Sequence, residues 1–83
     1  MNYAVIWTKR AIDQLAQAWI DTSDRPAVQR ASNRIDAMLA MQPWAHGESR
    51  LGNDRLLFEP PLAVYFRIDD ADRKVFVISV KLI

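Results

Sequence analysis

Cysteine is absent from the 83 residues, histidine occurs once and glycine twice. Without cysteine there can be no disulfide, zinc ribbon or thiol nucleophile, and one histidine excludes a multi-histidine metal site. Long apolar runs are lacking too. The longest uncharged stretch, Ala37 to Gly47, is interrupted by Pro43 and falls well short of the ~20 residues a membrane-spanning helix needs. At the N-terminus the apolar run Tyr3 to Trp7 soon meets Lys9 and Arg10, so no signal peptide is expected, and a cytoplasmic protein without membrane contact is. Neither sign of charge dominates: 11 basic and 10 acidic residues leave a net charge of +1, which demands no nucleic acid. There is no glycine-rich phosphate loop, no Ser-His-Asp order and no carboxylate cluster, so neither a cofactor nor a metal is expected. What remains is 51% hydrophobic and suits one domain over residues 1–83. A chain this short buries only about 60 to 65% of its unfolded surface, so its stability is modest and a partner can belong to its design.

The order read from the pattern is strand, two helices, then three strands. Tyr3 to Trp7 is a β-branched and aromatic run, ended by Thr8 as a helix N-cap, with Trp7 and Ile12 at the spacing of a hydrophobic staple. Ile12, Leu15, Ala16, Trp19 and Ile20 then form the stripe expected to be buried. A second helix, capped by Asp24 and with Pro26 in its first turn, offers Val28, Ala31, Ile35, Met38 and Leu39 to the core and stops at Pro43. Trp7, Trp19, Met38 and Met41 read as core. Trp44 to Asn53 reads as a polar loop. Arg55 to Phe58 is a strand, Glu59-Pro60-Pro61 a turn, and Leu62 to Asp69 a strand of strict period two. Lys74 to Leu82, nearly all apolar, reads as a central strand covered on both faces. The expectation is an α+β domain: an N-terminal strand, a helical hairpin and a three-stranded antiparallel meander, forming one small sheet with the helices on one face. Which alternate set of the hairpin strands meets the helices stays open.

Several strings in this order resemble the RelE/ParE superfamily of toxins from type II toxin–antitoxin systems. They are Tyr3-Ala4-Val5-Ile6-Trp7-Thr8 with Ala11 and Leu15, Arg55-Leu56-Leu57, Val64-Tyr65-Phe66-Arg67-Ile68-Asp69-Asp70, and Arg73-Lys74-Val75-Phe76-Val77-Ile78-Ser79-Val80. The resemblance implies a plasmid-stabilization type toxin, neutralised by a cognate antitoxin laid across its surface. Members of the RelE branch cleave mRNA on the ribosome; members of the ParE branch inhibit DNA gyrase. Arg55 matches a position where RelE-like toxins commonly carry a catalytic Lys. Asn53 falls where a second Lys would be, Leu62 where a phosphate-binding Arg would be, and Ile83 ends the chain before the usual basic residue and terminal aromatic. These departures favour ParE-like inhibition over ribosome-dependent cleavage. A near-neutral chain agrees, since a nuclease working on the ribosome is expected to be more basic.

If the chain does cut RNA, it needs a proton acceptor, a proton donor and positive charge on the phosphate. His46 is then the base or acid, with Arg50 and Arg55 holding phosphate through their forked donors; the other reading of His46 is a solvated loop residue. Glu48 and Arg50, two residues apart, can pair and tie the loop to the sheet, or leave Arg50 ready for a phosphate or an acidic antitoxin. Arg67 pairs with Asp54, Asp69 or Asp72, or binds phosphate. Lys9, Arg10 and Arg25 open the two helices, where the macrodipole disfavours positive charge, and so hint at an acidic or nucleic-acid surface. Trp44 either caps the core or anchors an interface. A rival without catalysis is an interaction module that dimerises through its open sheet face, with Leu62 exposed there.

Overall fold

The structure, a computed structural model, describes residues 2–83. Strand β1 (Ala4–Trp7) leads into helix α1 (Lys9–Asp21) and helix α2 (Arg25–Met41); a short 3₁₀ turn (Pro43–Ala45) follows, then strands β2 (Glu48–Ser49), β3 (Asp54–Glu59), β4 (Leu62–Asp69) and β5 (Lys74–Leu82). The sheet runs β1-β5-β4-β3-β2, antiparallel except that β1 lies parallel to β5. The expected α+β class holds. The stretch expected to be loop contributes both the 3₁₀ turn and a fifth, two-residue strand, and β3 is one residue longer at each end than expected.

Thr8 caps α1 as its position suggests: its hydroxyl oxygen accepts from the Ala11 amide and donates to the Val77 carbonyl, so the cap also pins the helix start to β5. Asp24 caps α2 by accepting from the Ala27 amide, with Pro26 in the first turn. Beyond the end of β1 the edge of β5 lacks a strand neighbour, and Gln14 takes that place, its Oε1 accepting the Val80 amide at 2.7 Å.

The core lies between the helices and one face of the sheet. Leu62, Val64, Phe66 and Ile68 of β4 are all at most 1% exposed, as are Val75 and Val77 of β5 and Val28, Ala31, Ile35 and Leu39 of α2. This settles which set of β4 meets the helices. It also corrects the reading of Leu62, which is fully buried in the core and offers nothing to an open face. β5 is sandwiched between neighbours within the sheet but covered by helices on one side only: Val75, Val77 and Val80 are buried, while Phe76, Ile78 and Ser79 are half-buried.

The stripe of α1 is the largest departure. Ile12 is 54% exposed and Ile20 63%, with Trp19 and Ala16 also at the surface. Ala11 and Ala18 are the buried residues, about a third of a turn away. Short side chains let α1 lie close over the valine-rich β5, which the bulkier stripe could not do. Trp7 is half-buried against the core, its indole N–H donating to Asp36 of α2, but Met41 lies outside the core at 58% exposed.

Candidate functional site

The face of the sheet away from the helices carries alternate residues of β3 and β4. Register places Asp54 opposite Arg67 and Leu56 opposite Tyr65, all on that face. Asp54 is the hub. Its carboxylate is nearly buried and accepts three hydrogen bonds: from Arg67 Nε at 2.6 Å, from Arg67 Nη2 at 3.0 Å and from the Tyr65 hydroxyl at 2.7 Å. The Arg67 bonds, and then the Tyr65 bond, outweigh desolvation and hold the Asp54 carboxyl below the usual carboxylate range. The same contacts push the Tyr65 hydroxyl and Arg67 upward. Of the three carboxylates open to Arg67 from sequence, Asp54 is the one it meets.

Asp54→Asn tests this hub. A depressed folded-state pKa means that the stabilisation from the carboxylate is complete above its unfolded pKa of about 3.9 and is lost as pH falls through the lower folded value. The stability gap between the native chain and Asp54→Asn is therefore expected to be widest near neutral pH and to shrink in acid below about pH 4. Denaturant titrations at several pH values measure it, and a gap independent of pH would contradict the assignment.

The loop residues gather beside this hub on β2, which pairs Glu48 with Leu56 and Ser49 with Arg55. Gly47 enters β2 at φ +76°. Arg55 donates from Nε to the His46 carbonyl and from Nη2 to the Gly47 carbonyl, both at 2.8 Å, and so clasps the loop onto β3. Arg50 lies 3.6 Å from Glu48 and donates to the Ser49 carbonyl, and its charge reaches Tyr65, where it opposes the rise in pKa. Asn53 ties the start of β3 to β4: its side-chain Nδ2 donates to the Ile68 carbonyl while its backbone carbonyl accepts the Ile68 amide.

His46, Arg50 and Arg55 thus share one edge of the sheet, with the charge of Arg50 felt at Tyr65. Lys9 and Arg10 follow β1 at the opposite edge, four strand spacings from β2, on the order of 19 Å. They belong to a separate surface, where Lys9 pairs with Asp13 at 3.0 Å. Trp44 is 41% exposed, and its indole N–H donates to the Asp70 carboxylate. The Tyr3 hydroxyl donates to Asp70 too, while Arg73 donates to that hydroxyl with its guanidinium 4.8 Å from the ring centre. The Tyr3 bond, followed by that of Trp44, lowers the Asp70 pKa. This second cluster joins the chain start, the 3₁₀ turn and the β4–β5 turn; no spacing in the sequence announces it, because Tyr3 and Asp70 lie at opposite ends of the chain. Among the described residues no group of acidic or histidine side chains is arranged to hold a metal, and no helix is long and apolar enough to cross a membrane.

No protein-family model matches the sequence, and no curated protein matches it. Solved structures do. A chain of the toxin–antitoxin complex RelBE2 from Mycobacterium tuberculosis superposes with a TM-score of 0.80 at 20% identity, covering 100% of both chains. A chain of the chromosomal ParDE toxin–antitoxin system of P. aeruginosa gives 0.73 at 15% identity, over 98% of this chain and 96% of that one. A mutant of the E. coli toxin RelE in the free state gives 0.71 at 17% identity, over 99% and 84%. From its first strand to its last, the chain has the RelE/ParE fold.

Proposed function

We propose that the chain is the toxin of a type II toxin–antitoxin pair, held inactive by a cognate antitoxin, and that it acts by ParE-like inhibition rather than by cutting mRNA. The likeness along the full length of the chain to members of toxin–antitoxin complexes carries the toxin reading. The state of the sheet face supports the choice of mechanism. On that face Arg67 spends its Nε and one terminal nitrogen on Asp54, while Arg55, on the helix side of β3 opposite Phe66, spends the same two groups on backbone carbonyls. Tyr65 donates its proton to that same carboxylate and holds it more firmly than a free phenol does. A face whose Arg67 and Tyr65 are already engaged suits contact with a macromolecular surface better than acid–base cleavage of a phosphodiester. DNA gyrase is the target that the ParE-like reading names.

Expression in a bacterial host, alone and together with the neighbouring reading frame, tests both parts. Growth arrest relieved by the neighbour, with transcript ends unchanged during arrest, is the expected result. A chain that is harmless alone and bound by no neighbour overturns the toxin reading. Fresh mRNA ends that disappear in His46→Ala, Arg50→Ala or Arg55→Ala overturn the mechanism and favour an mRNA endonuclease.

A further inference from the structure

One carboxylate, that of Asp70 in the turn between β4 and β5, joins stretches that are far apart in the chain. It accepts from the Tyr3 hydroxyl at the chain start and from the Trp44 indole N–H in the 3₁₀ turn, the latter shared between both oxygens at 3.0 and 3.1 Å. We propose that Asp70 is a positioning residue: by holding Trp44 it sets the rotation of the 3₁₀ turn, lines up the His46 and Gly47 carbonyls on Arg55, and so fixes where Arg50 stands.

Three observations carry this. The first is distance along the chain. Trp44 and the two carbonyls that Arg55 grips all belong to the segment 44–47, so that segment is clasped at both ends. A residue spans at most about 3.3–3.6 Å, so the link has little slack, and a turn of Trp44 is passed on to the carbonyls. The second is how the 3₁₀ turn is held. Pro43 is fully buried and fixes the position of the turn, but one buried residue leaves its rotation open. Trp44 is 41% exposed and borders a hollow of about 350 Å³ lined also by Tyr3, Met41, Gln42 and Arg73. Packing encloses the indole only in part, and its bonds to Asp70 set its angle.

The third is backbone strain. Among the described residues Arg73 is the one non-glycine with positive φ, +53°. Glycine would take that conformation at no steric cost. The turn instead carries an arginine that donates to the Tyr3 hydroxyl and stacks on the Tyr3 ring, holding the tyrosine in place against Asp70. Hydrogen bonds open to water add only modestly to net stability. Strain kept to maintain such bonds points to placement rather than to stability. This inference does not depend on the toxin reading.

The arginine Nε–H signals in proton–nitrogen NMR spectra of the full chain test it. Arg55 Nε donates to the His46 carbonyl, while Arg67 Nε donates to Asp54 and serves as the internal control. Asp70→Ala removes the acceptor; Trp44→Phe keeps a ring and removes the donor. Each is expected to speed solvent exchange of the Arg55 proton by roughly 2- to 10-fold, the factor that one modest hydrogen bond supplies. The Arg67 proton and the circular dichroism should stay as in the native chain. Asp70→Asn keeps an acceptor oxygen and should remain near the native rate. Combining Asp70→Ala with Trp44→Phe should go no further than Asp70→Ala alone, since both break the same contact. Unchanged Arg55 exchange in either single variant overturns the proposal. Equal acceleration at Arg67 overturns it too, because it marks a general loosening of the fold rather than the release of one loop.

Discussion

Phe66→Ala is expected to cost roughly 3–5 kcal/mol of folding stability, the range for removing a buried aromatic ring. Phe66 is the largest fully buried side chain, 0% exposed, and stands mid-strand in β4 beneath the helices. Its register partners are Arg55 on β3 and Val77 on β5, so a cavity there borders both the loop clasp and the strand that α1 covers. Domains of this size are stable by about 5–15 kcal/mol, and this one substitution removes a large part of that. In thermal unfolding the midpoint should fall by roughly 12–40 °C, since each kcal/mol moves it by about 4–8 °C in a domain of 60–100 residues. A fall of only a few degrees would mean that the helices collapse into the space, and that the core is looser than its burial indicates. The variant should also lose growth arrest through lack of folded protein, so the functional tests belong on Arg50 and Tyr65 at the surface.

Replacing Gly47 by alanine should be the more damaging of two superficially equal changes. Gly47 and Gly52 both have positive φ, +76° and +60°, so alanine at either meets the left-handed penalty of about 1–2 kcal/mol. At Gly52 a Cβ would find nothing within 4 Å, whereas at Gly47 it would stand 2.7 Å from the Leu56 carbonyl oxygen. That oxygen is backbone in the β2–β3 pairing and cannot swing aside. Gly47→Ala must therefore push β2 off β3, drawing the His46 and Gly47 carbonyls away from Arg55 and shifting Arg50 with them. The expected loss exceeds that of Gly52→Ala by roughly 1–3 kcal/mol, the scale of a local backbone strain. Paired denaturant titrations of the two variants make the comparison, and equal losses would show that the clasp yields freely.

β4 was legible to the residue, because strict alternation between Leu62 and Asp69 has one structural meaning once a face is buried. α2 was legible for the same reason at helical period. The stripe of α1 was legible as a stripe but not as a surface: periodicity reports that a helix has two faces, while the choice of seat was made by the width of Ala11 and Ala18 against β5. Within the site, the Arg67 partner was narrowed to three acids, and pairing register selected Asp54. The role of Arg55 had no signal at all, since its acceptors are main-chain oxygens that any residue at positions 46 and 47 supplies. Chemistry written in side chains could be read from the chain; chemistry written in carbonyls needed the fold.

Tyr65 pairs with Ser79 and the adjacent Phe66 with Val77, which leaves Ile78 without an opposite number, a bulge in β5. Omitting that residue on paper would bring Val75, Val77, Val80 and Leu82 onto one uninterrupted side, so the pleat has no need of it. The surplus sits where Thr8 grips β5 through the Val77 and Ile78 carbonyls and the neighbour changes from a strand to a helix. β5 therefore works as two rulers joined by a slack link. The half beside β1 and the half beneath α1 can each keep their own alignment, with Tyr65 in register with the second and Phe66 with the first.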